Sequence, residues 1–200
     1  MQADGRVGLI AAADGSLNPL RTNTEGALVT QAGGGKYYEA CNNGQIFVAA
    51  NQTVIALTTK LATTYKGLVV GNAAGTGKNL VMLGFGYFTT VAVPTATAFG
   101  IMAGTMTALT SVITPINRKI GGPASIAWVE DDCTIGTPIL HQTFGHAWTE
   151  ATTAGSVGPI NWIDLDGSLI IPPGAFAAVY SFIANTAAFQ FSFMWQEVDV

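Results

Sequence analysis

Phe189-Gln190-Phe191-Ser192-Phe193-Met194-Trp195-Gln196 is the stretch whose reading decides the fold. Successive side chains of an extended strand point to opposite faces. Phe189, Phe191, Phe193 and Trp195 therefore share one side, and Gln190, Ser192, Met194 and Gln196 share the other. A strict period of two with an apolar side marks a half-buried strand. Just before it, Asn185-Thr186-Ala187-Ala188 reads as a turn. Ala175 to Asn185 and Ala188 to Val198 are thus expected to pair as a C-terminal antiparallel hairpin. Pro172-Pro173-Gly174 supplies another reversal, since Pro fixes φ and Gly permits the positive φ of tight turns. Asp164-Leu165-Asp166-Gly167 has the same turn character.

Further outward the chain keeps this texture. Tyr37 to Cys41, Gln45 to Ala50, Gly67 to Gly71, Asn79 to Val93, Ala98 to Gly104, Thr137 to Trp148 and Ser168 to Ile171 all read as strands. Each is rich in β-branched or aromatic residues and bounded by Gly, Pro, Asn or Asp. Helix is nearly absent: a turn or two within Leu109 to Ile120, limited by Pro115, and a turn near Ala124 to Val129. Strands without a βαβ rhythm predict an all-β, jelly-roll-like antiparallel β-sandwich over residues 37–200. A long loop excursion is expected at about 105–136, and loops of that length usually make contacts or carry function.

Residues 1–36 differ. They are rich in Gly, Asn, Asp and Ala, contain Asn18-Pro19, and end in Gly33-Gly34-Gly35, a flexible joint. Ala27 to Gln31 is a short strand candidate entered through Thr24-Glu25-Gly26. The segment predicts an extended N-terminal arm that reaches on the order of 100 Å when stretched. Val7, Leu9, Ile10, Leu17, Leu20, Leu28 and Val29 make it more apolar than a disordered leader, so these seven are the expected partner-binding residues.

Charge is scarce. Eight Lys+Arg and twelve Asp+Glu give 10% charged residues against 49% hydrophobic in 200 residues, with a net charge of -4. An ordinary domain carries roughly a quarter charged residues. Much of this exterior must be Thr, Asn, Gly, Ala and apolar side chains, which points to contact with other subunits. The only basic pair is Arg118-Lys119, so direct nucleic-acid binding is disfavoured. Apolar runs are broken well short of the roughly 20 residues a membrane helix needs. Residues 1–15 lack the shape of a signal peptide, with Asp4 and Asp14 flanking a short apolar piece. Cys41 and Cys133, far apart, read as free thiols made in a reducing cytoplasm.

No constellation for catalysis emerges. Gly71 to Asn79 imitates a phosphate-binding loop, but Asn72 stands where the first Gly belongs, Asn79 replaces the Ser/Thr, and a strand follows instead of a helix. The stretch is read as a turn. His141 and His146 are five apart on a strand, hence on opposite faces, and a third metal ligand is missing. Neither cysteine is tied to a histidine by any motif, and no Gly-x-Ser-x-Gly elbow occurs. Glu130, Asp131, Asp132, Glu150, Asp164 and Asp166 offer carboxylates for glycoside chemistry or calcium, yet the acidic triplet lies in a predicted loop and Asp164/Asp166 in a turn. Trp128, Trp148, Trp162 and Trp195 are expected as core or interface anchors, the alternative being a carbohydrate-binding platform. The expectation is a non-enzyme with no cofactor, no metal and no catalytic residues.

Several stretches carry a likeness. Asp14-Gly15-Ser16-Leu17-Asn18-Pro19-Leu20-Arg21-Thr22 with Glu25-Gly26-Ala27-Leu28-Val29 resembles the opening of structural proteins of tailed bacteriophages. Lys36-Tyr37-Tyr38-Glu39-Ala40, Gly75-Thr76-Gly77-Lys78-Asn79-Leu80-Val81, Ile171-Pro172-Pro173-Gly174-Ala175 and Trp195-Gln196-Glu197-Val198 continue it. The resemblance implies a virion protein assembled in the host cytoplasm, an auxiliary or decoration protein of the capsid. Its implied partners are itself, as a homotrimer, and the major capsid protein. A major jelly-roll capsid protein and a tail or receptor-binding component are the alternatives within that class.

Overall fold

The computed structural model describes residues 35–58, 60–89, 97–105, 112–147 and 161–200. Its elements, in chain order, are α1 (Tyr38–Asn42), β1 (Ile46–Ala50), β2 (Ile55–Leu57), β3 (Thr64–Asn72), β4 (Lys78–Thr89), β5 (Thr97–Thr105), β6 (Ile116–Asn117), β7 (Ala127–Thr134), β8 (Ile139–Ala147), β9 (Asn161–Ile171), β10 (Ala175–Ser181) and β11 (Asn185–Asp199). One sheet runs β6-β1-β11-β4-β9, with β2 also pairing β11, and the other runs β7-β3-β10-β5-β8. Every pairing between them is antiparallel. The expected antiparallel β-sandwich is what the chain forms.

The wiring is a nested hairpin. β1 pairs β11, β3 pairs β10, β4 pairs β9 and β5 pairs β8, and successive pairs fall alternately on the two sheets. Between the sheets lies a core built on the aromatic row of β11. Phe189, Phe191, Phe193 and Trp195 pack with Phe47, Phe85, Phe99, Leu68 and Val179. Phe85 lies 5.2 Å from Phe193, and Phe99 meets Phe189 edge-on at 5.0 Å. Burying each such side chain contributes about 1.5–3 kcal/mol, and well-placed ring pairs add about 0.5–1.5 kcal/mol.

The five-stranded sheet departs from the half-buried pattern. Leu68, Val70, Ile101, Ala177 and Val179 face the main core. Their alternates Val69, Met102, Phe176, Ala178 and Tyr180 form a second buried cluster on the other face, joined by Tyr65 and Ile135. Along its central strands β3, β10 and β5 both faces of this sheet are therefore buried, while the edge strands β7 and β8 carry polar and exposed residues.

Several expectations need correction. The helical turns expected near Ala124 to Val129 and within Leu109 to Ile120 do not form: the described residues there hold β6, the start of β7 and no helix. Tyr37 to Cys41 does not form a strand: Tyr38–Asn42 is a helical turn. Gly44, at φ 70°, closes it, with its N–H donating to the Cys41 carbonyl at 2.9 Å. An Asn-Gly pair ending a single turn acts as a helix stop. The C-terminal hairpin does not form either, because β10 and β11 lie in different sheets. At that crossing the Ser181 hydroxyl donates to the Ile183 carbonyl at 2.7 Å and the Ile183 N–H donates to Thr97 Oγ1 at 3.1 Å. These hydroxyls satisfy backbone groups that a hairpin ladder would have paired.

The loop excursion of 105–136 carries two strands, β6 and β7. Its Ile113 N–H donates to the Val129 carbonyl in one sheet, and Arg118 N–H donates to the Ile46 carbonyl in the other. The excursion thus links the β6 and β7 edges on one side of the sandwich. Asp164 to Gly167 is a bulge within β9, not a turn between elements. Asp166 and Gly167 take φ of 48° and 78°, and the register with β4 jumps from Gly84↔Asp164 to Met82↔Leu169. The arm expected over residues 1–36 falls, apart from its last two residues, outside the described residues.

Candidate functional site

The outer face of the six-stranded sheet holds the most unusual surface feature among the described residues. In β4, Gly84-Phe85-Gly86 sends Phe85 into the core and leaves two glycines on the outside. Register then places Ala50 of β1 beside Ser192 of β11, Ser192 beside Gly86, and Gly86 beside Trp162 of β9. Three residues with little or no side chain thus run up to a tryptophan in one row across four strands.

Those glycines make room for the indole. A Cβ on Gly84 would lie 2.1 Å from Trp162 Cζ2, and one on Gly86 would lie 2.9 Å from Trp162 Cε3 and 2.7 Å from Ser192 Oγ. The six-membered ring therefore fills the space that side chains at positions 84 and 86 would take. Trp162 nevertheless remains 49% exposed. Glycine inside a strand often marks such a close approach.

Beside the ring lies an open groove of about 160 Å³, with Gly86 on its floor and Asn51, Phe88, Trp162, Gln190 and Ser192 around it. Asn51 is buried and fixes the far wall. Its Oδ1 accepts from the Phe191 N–H at 2.6 Å, and its Nδ2 donates to the Phe189 and Thr53 carbonyls. Gln190 Nε2 donates to the Asn51 carbonyl at 3.4 Å. No charged residue lines the groove. It can stack a flat apolar ligand face and exchange hydrogen bonds with a neutral one, and its lining holds no His, Asp, Glu or Lys to activate the Ser192 hydroxyl.

The other candidates disperse. Trp195 is buried in the main core, stacked on Phe47 at 6.2 Å, and Trp128 packs against the second cluster. Trp148 and Glu150 lie outside the described residues, as do Val7, Leu9, Ile10, Leu17, Leu20, Leu28 and Val29. His141 is an exposed residue of β8, and His146 lies on the same strand. No group of three or more His, Cys, Asp or Glu among the described residues could hold a metal ion. Asp164 Oδ1 accepts the Asp166 N–H at 3.2 Å, a local contact inside the bulge. The phosphate-loop mimic is a turn between β3 and β4, where Thr76 Oγ1 donates to Asn72 Oδ1 at 2.7 Å. Lys78 faces Glu197 at 4.0 Å and Asp199 at 3.9 Å.

The acidic triplet lies in β7 instead of a loop, and Glu130 is buried there. Burial, and next the charge of neighbouring Glu130, push the Cys133 thiol up to about 12. A thiol held protonated is a poor nucleophile. Burial also raises the Tyr65 hydroxyl well above its ordinary value, and that hydroxyl donates to the Val179 carbonyl. Glu197, missed in the sequence, is buried and accepts from Ser125 Oγ at 2.6 Å and the Ile126 N–H at 2.9 Å. It ties the excursion to β11, a structural role.

No protein-family model, curated protein or solved structure matches this chain.

Proposed function

We propose that this chain is a non-enzymatic virion structural protein, a capsid decoration protein that binds the major capsid protein through its N-terminal arm and stabilises the shell. The observation that carries the reading is the placement of exposed apolar side chains on a sparsely charged exterior. Ile116 is 63% exposed and Ile120 fully exposed on the β6 side. Ile139 and Leu140 are exposed on β8, the edge strand at the opposite side. Two different apolar flanks on one subunit suit head-to-tail contacts, which close into a ring when the rotation permits. A homotrimer is the ring proposed here. The nested strand pairing supports a jelly-roll reading of the sandwich, an architecture common to shell proteins. The sequence likeness to tailed-phage structural proteins points the same way.

Deleting residues 1–36 tests the reading. The truncated chain is expected to keep its strand signature by circular dichroism and to lose attachment to shells of the major capsid protein. Unchanged attachment would overturn the role given to the arm. Copy number by mass spectrometry of purified particles separates the alternatives within the class: hundreds of copies for a shell component, few for a tail or receptor-binding tip.

A further inference from the structure

We infer that the groove beside Trp162 is a binding site for a neutral saccharide. The inference rests on the outer face of the six-stranded sheet alone and stands whether or not the chain belongs to a virion. Three features of the groove select the ligand. First, Trp162 is held over Gly84 and Gly86 and is about half exposed beside the groove, so part of its ring surface is open to a ligand. A pyranose ring carries a patch of C–H groups on one side that packs on such an aromatic face, leaving its hydroxyls at the rim. Second, the polar groups beside the ring are an amide and a hydroxyl, Gln190 and Ser192, which both donate and accept as sugar hydroxyls do. Third, no charge lines the groove, so an ionic ligand would lose hydration without recovering a partner.

Other occupants fit less well. A wholly apolar ligand would leave Gln190 and Ser192 without their water. A nucleobase stacks on tryptophan, but single-strand sites need a basic track for the phosphates, and the groove has none. At about 160 Å³ the groove is smaller than the roughly 300–1,000 Å³ of enclosed small-ligand sites, so a ligand would rest in it as in an open cleft. It suits one sugar ring, with neighbouring rings running out over the sheet. Asn51, locked by its bonds to β11, keeps the far wall in place before any ligand arrives. Trp162 is therefore the stacking residue and Gln190 and Ser192 the hydrogen-bonding residues of the site.

The test uses the full chain. Glucose, galactose, mannose and N-acetylglucosamine, with short oligosaccharides of each, are titrated while the indole N–H resonance of Trp162 is followed by NMR, assigned with Trp162→Phe. At least one saccharide is expected to move that resonance saturably. Measured by isothermal titration calorimetry, Trp162→Ala should weaken binding at least tenfold and Gln190→Ala several-fold, with melting temperatures close to the parent. Gln190→Ala keeps the test decisive should Trp162→Ala unsettle the sheet. The inference is overturned if no saccharide moves the resonance, if binding survives both substitutions, or if oligothymidylate produces the same saturable shift. A Trp162 shift that follows protein concentration and not sugar also overturns it, because a second copy would then occupy the groove.

Discussion

The two sheets of this sandwich treat their outer faces in opposite ways. In the six-stranded sheet, β11 alternates strictly, with aromatic residues inward and Gln190, Ser192, Met194 and Gln196 outward. In the five-stranded sheet, β10 reads Ala-Phe-Ala-Ala-Val-Tyr, and both sets of side chains are buried. A strand's apolar period therefore reports how many of its faces are covered. It separates a sheet with one free surface, where a ligand groove can exist, from a sheet whose central strands are covered on both sides.

Paired substitutions sharpen this contrast most. Phe176→Ala, on the outer side of β10, should destabilise the chain by about 3–5 kcal/mol, the range for a buried phenylalanine. Ile170→Ala, on the outer side of β9, should stay within about 0.5 kcal/mol, as surface changes do. Chemical denaturation measures both. Equal costs would mean that the two outer faces are alike.

Next in size is Gly84→Ala, whose new methyl would enter the space of the Trp162 ring. Overpacking of this kind costs about 1–3 kcal/mol. The double variant Gly84→Ala/Trp162→Ala should recover most of the loss relative to Trp162→Ala alone. A strictly additive cycle would show that the ring does not rest on that glycine.

Glu197→Ala should cost a similar or smaller amount, about 1–3 kcal/mol, because it strips partners from the Ser125 hydroxyl and the Ile126 N–H. Faster amide exchange at Ile126 would locate the effect, and unchanged protection there would count against the tie.

The smallest effect concerns Cys133. With its pKa at about 12 against an ordinary 9.0, its thiolate near pH 8 is about a thousandfold scarcer than that of an unperturbed thiol. Alkylation by iodoacetamide should leave Cys133 largely unmodified while the protein is folded. The folded pKa is raised, so the native state holds a proton that the unfolded chain gives up. Stability should fall as pH climbs from about 9 towards 12, with Tyr65 adding to the loss in the upper part of that window. Flat stability across that window would contradict the burial of Tyr65 and the partial burial of Cys133.

Much of the sandwich was legible from local signals. The alternation of Phe189 to Gln196, the Pro172-Pro173-Gly174 reversal and the glycines of the Gly71 to Asn79 turn all sit where their chemistry placed them. What escaped was long-range. The same turn residues serve a hairpin within one sheet and a crossing between two, so β10 and β11 looked like neighbours. Glu130-Asp131-Asp132 looked solvated because acids usually are, and β7 was lost inside a loop. The candidate site was half visible: Trp162 is one of the four tryptophans that offer a carbohydrate platform, whereas Gly84 and Gly86 read as ordinary positions of the Asn79 to Val93 strand. That Trp162 lies over these glycines depends on the β4–β9 register, and nothing local to either strand discloses that pairing.

The nested pairing also sets an order of events in time. Phe191 and Asn51, joined by a hydrogen bond, stand 140 positions apart. The chain between β5 and β8 is far shorter, and closing a short loop costs less entropy than closing a long one. Assembly should therefore start at the innermost pair and zip outward, and β1 must wait on the ribosome for a mate made long after it. Until then its ladder edge stays bare, a template for the wrong neighbour whenever many nascent copies are crowded together.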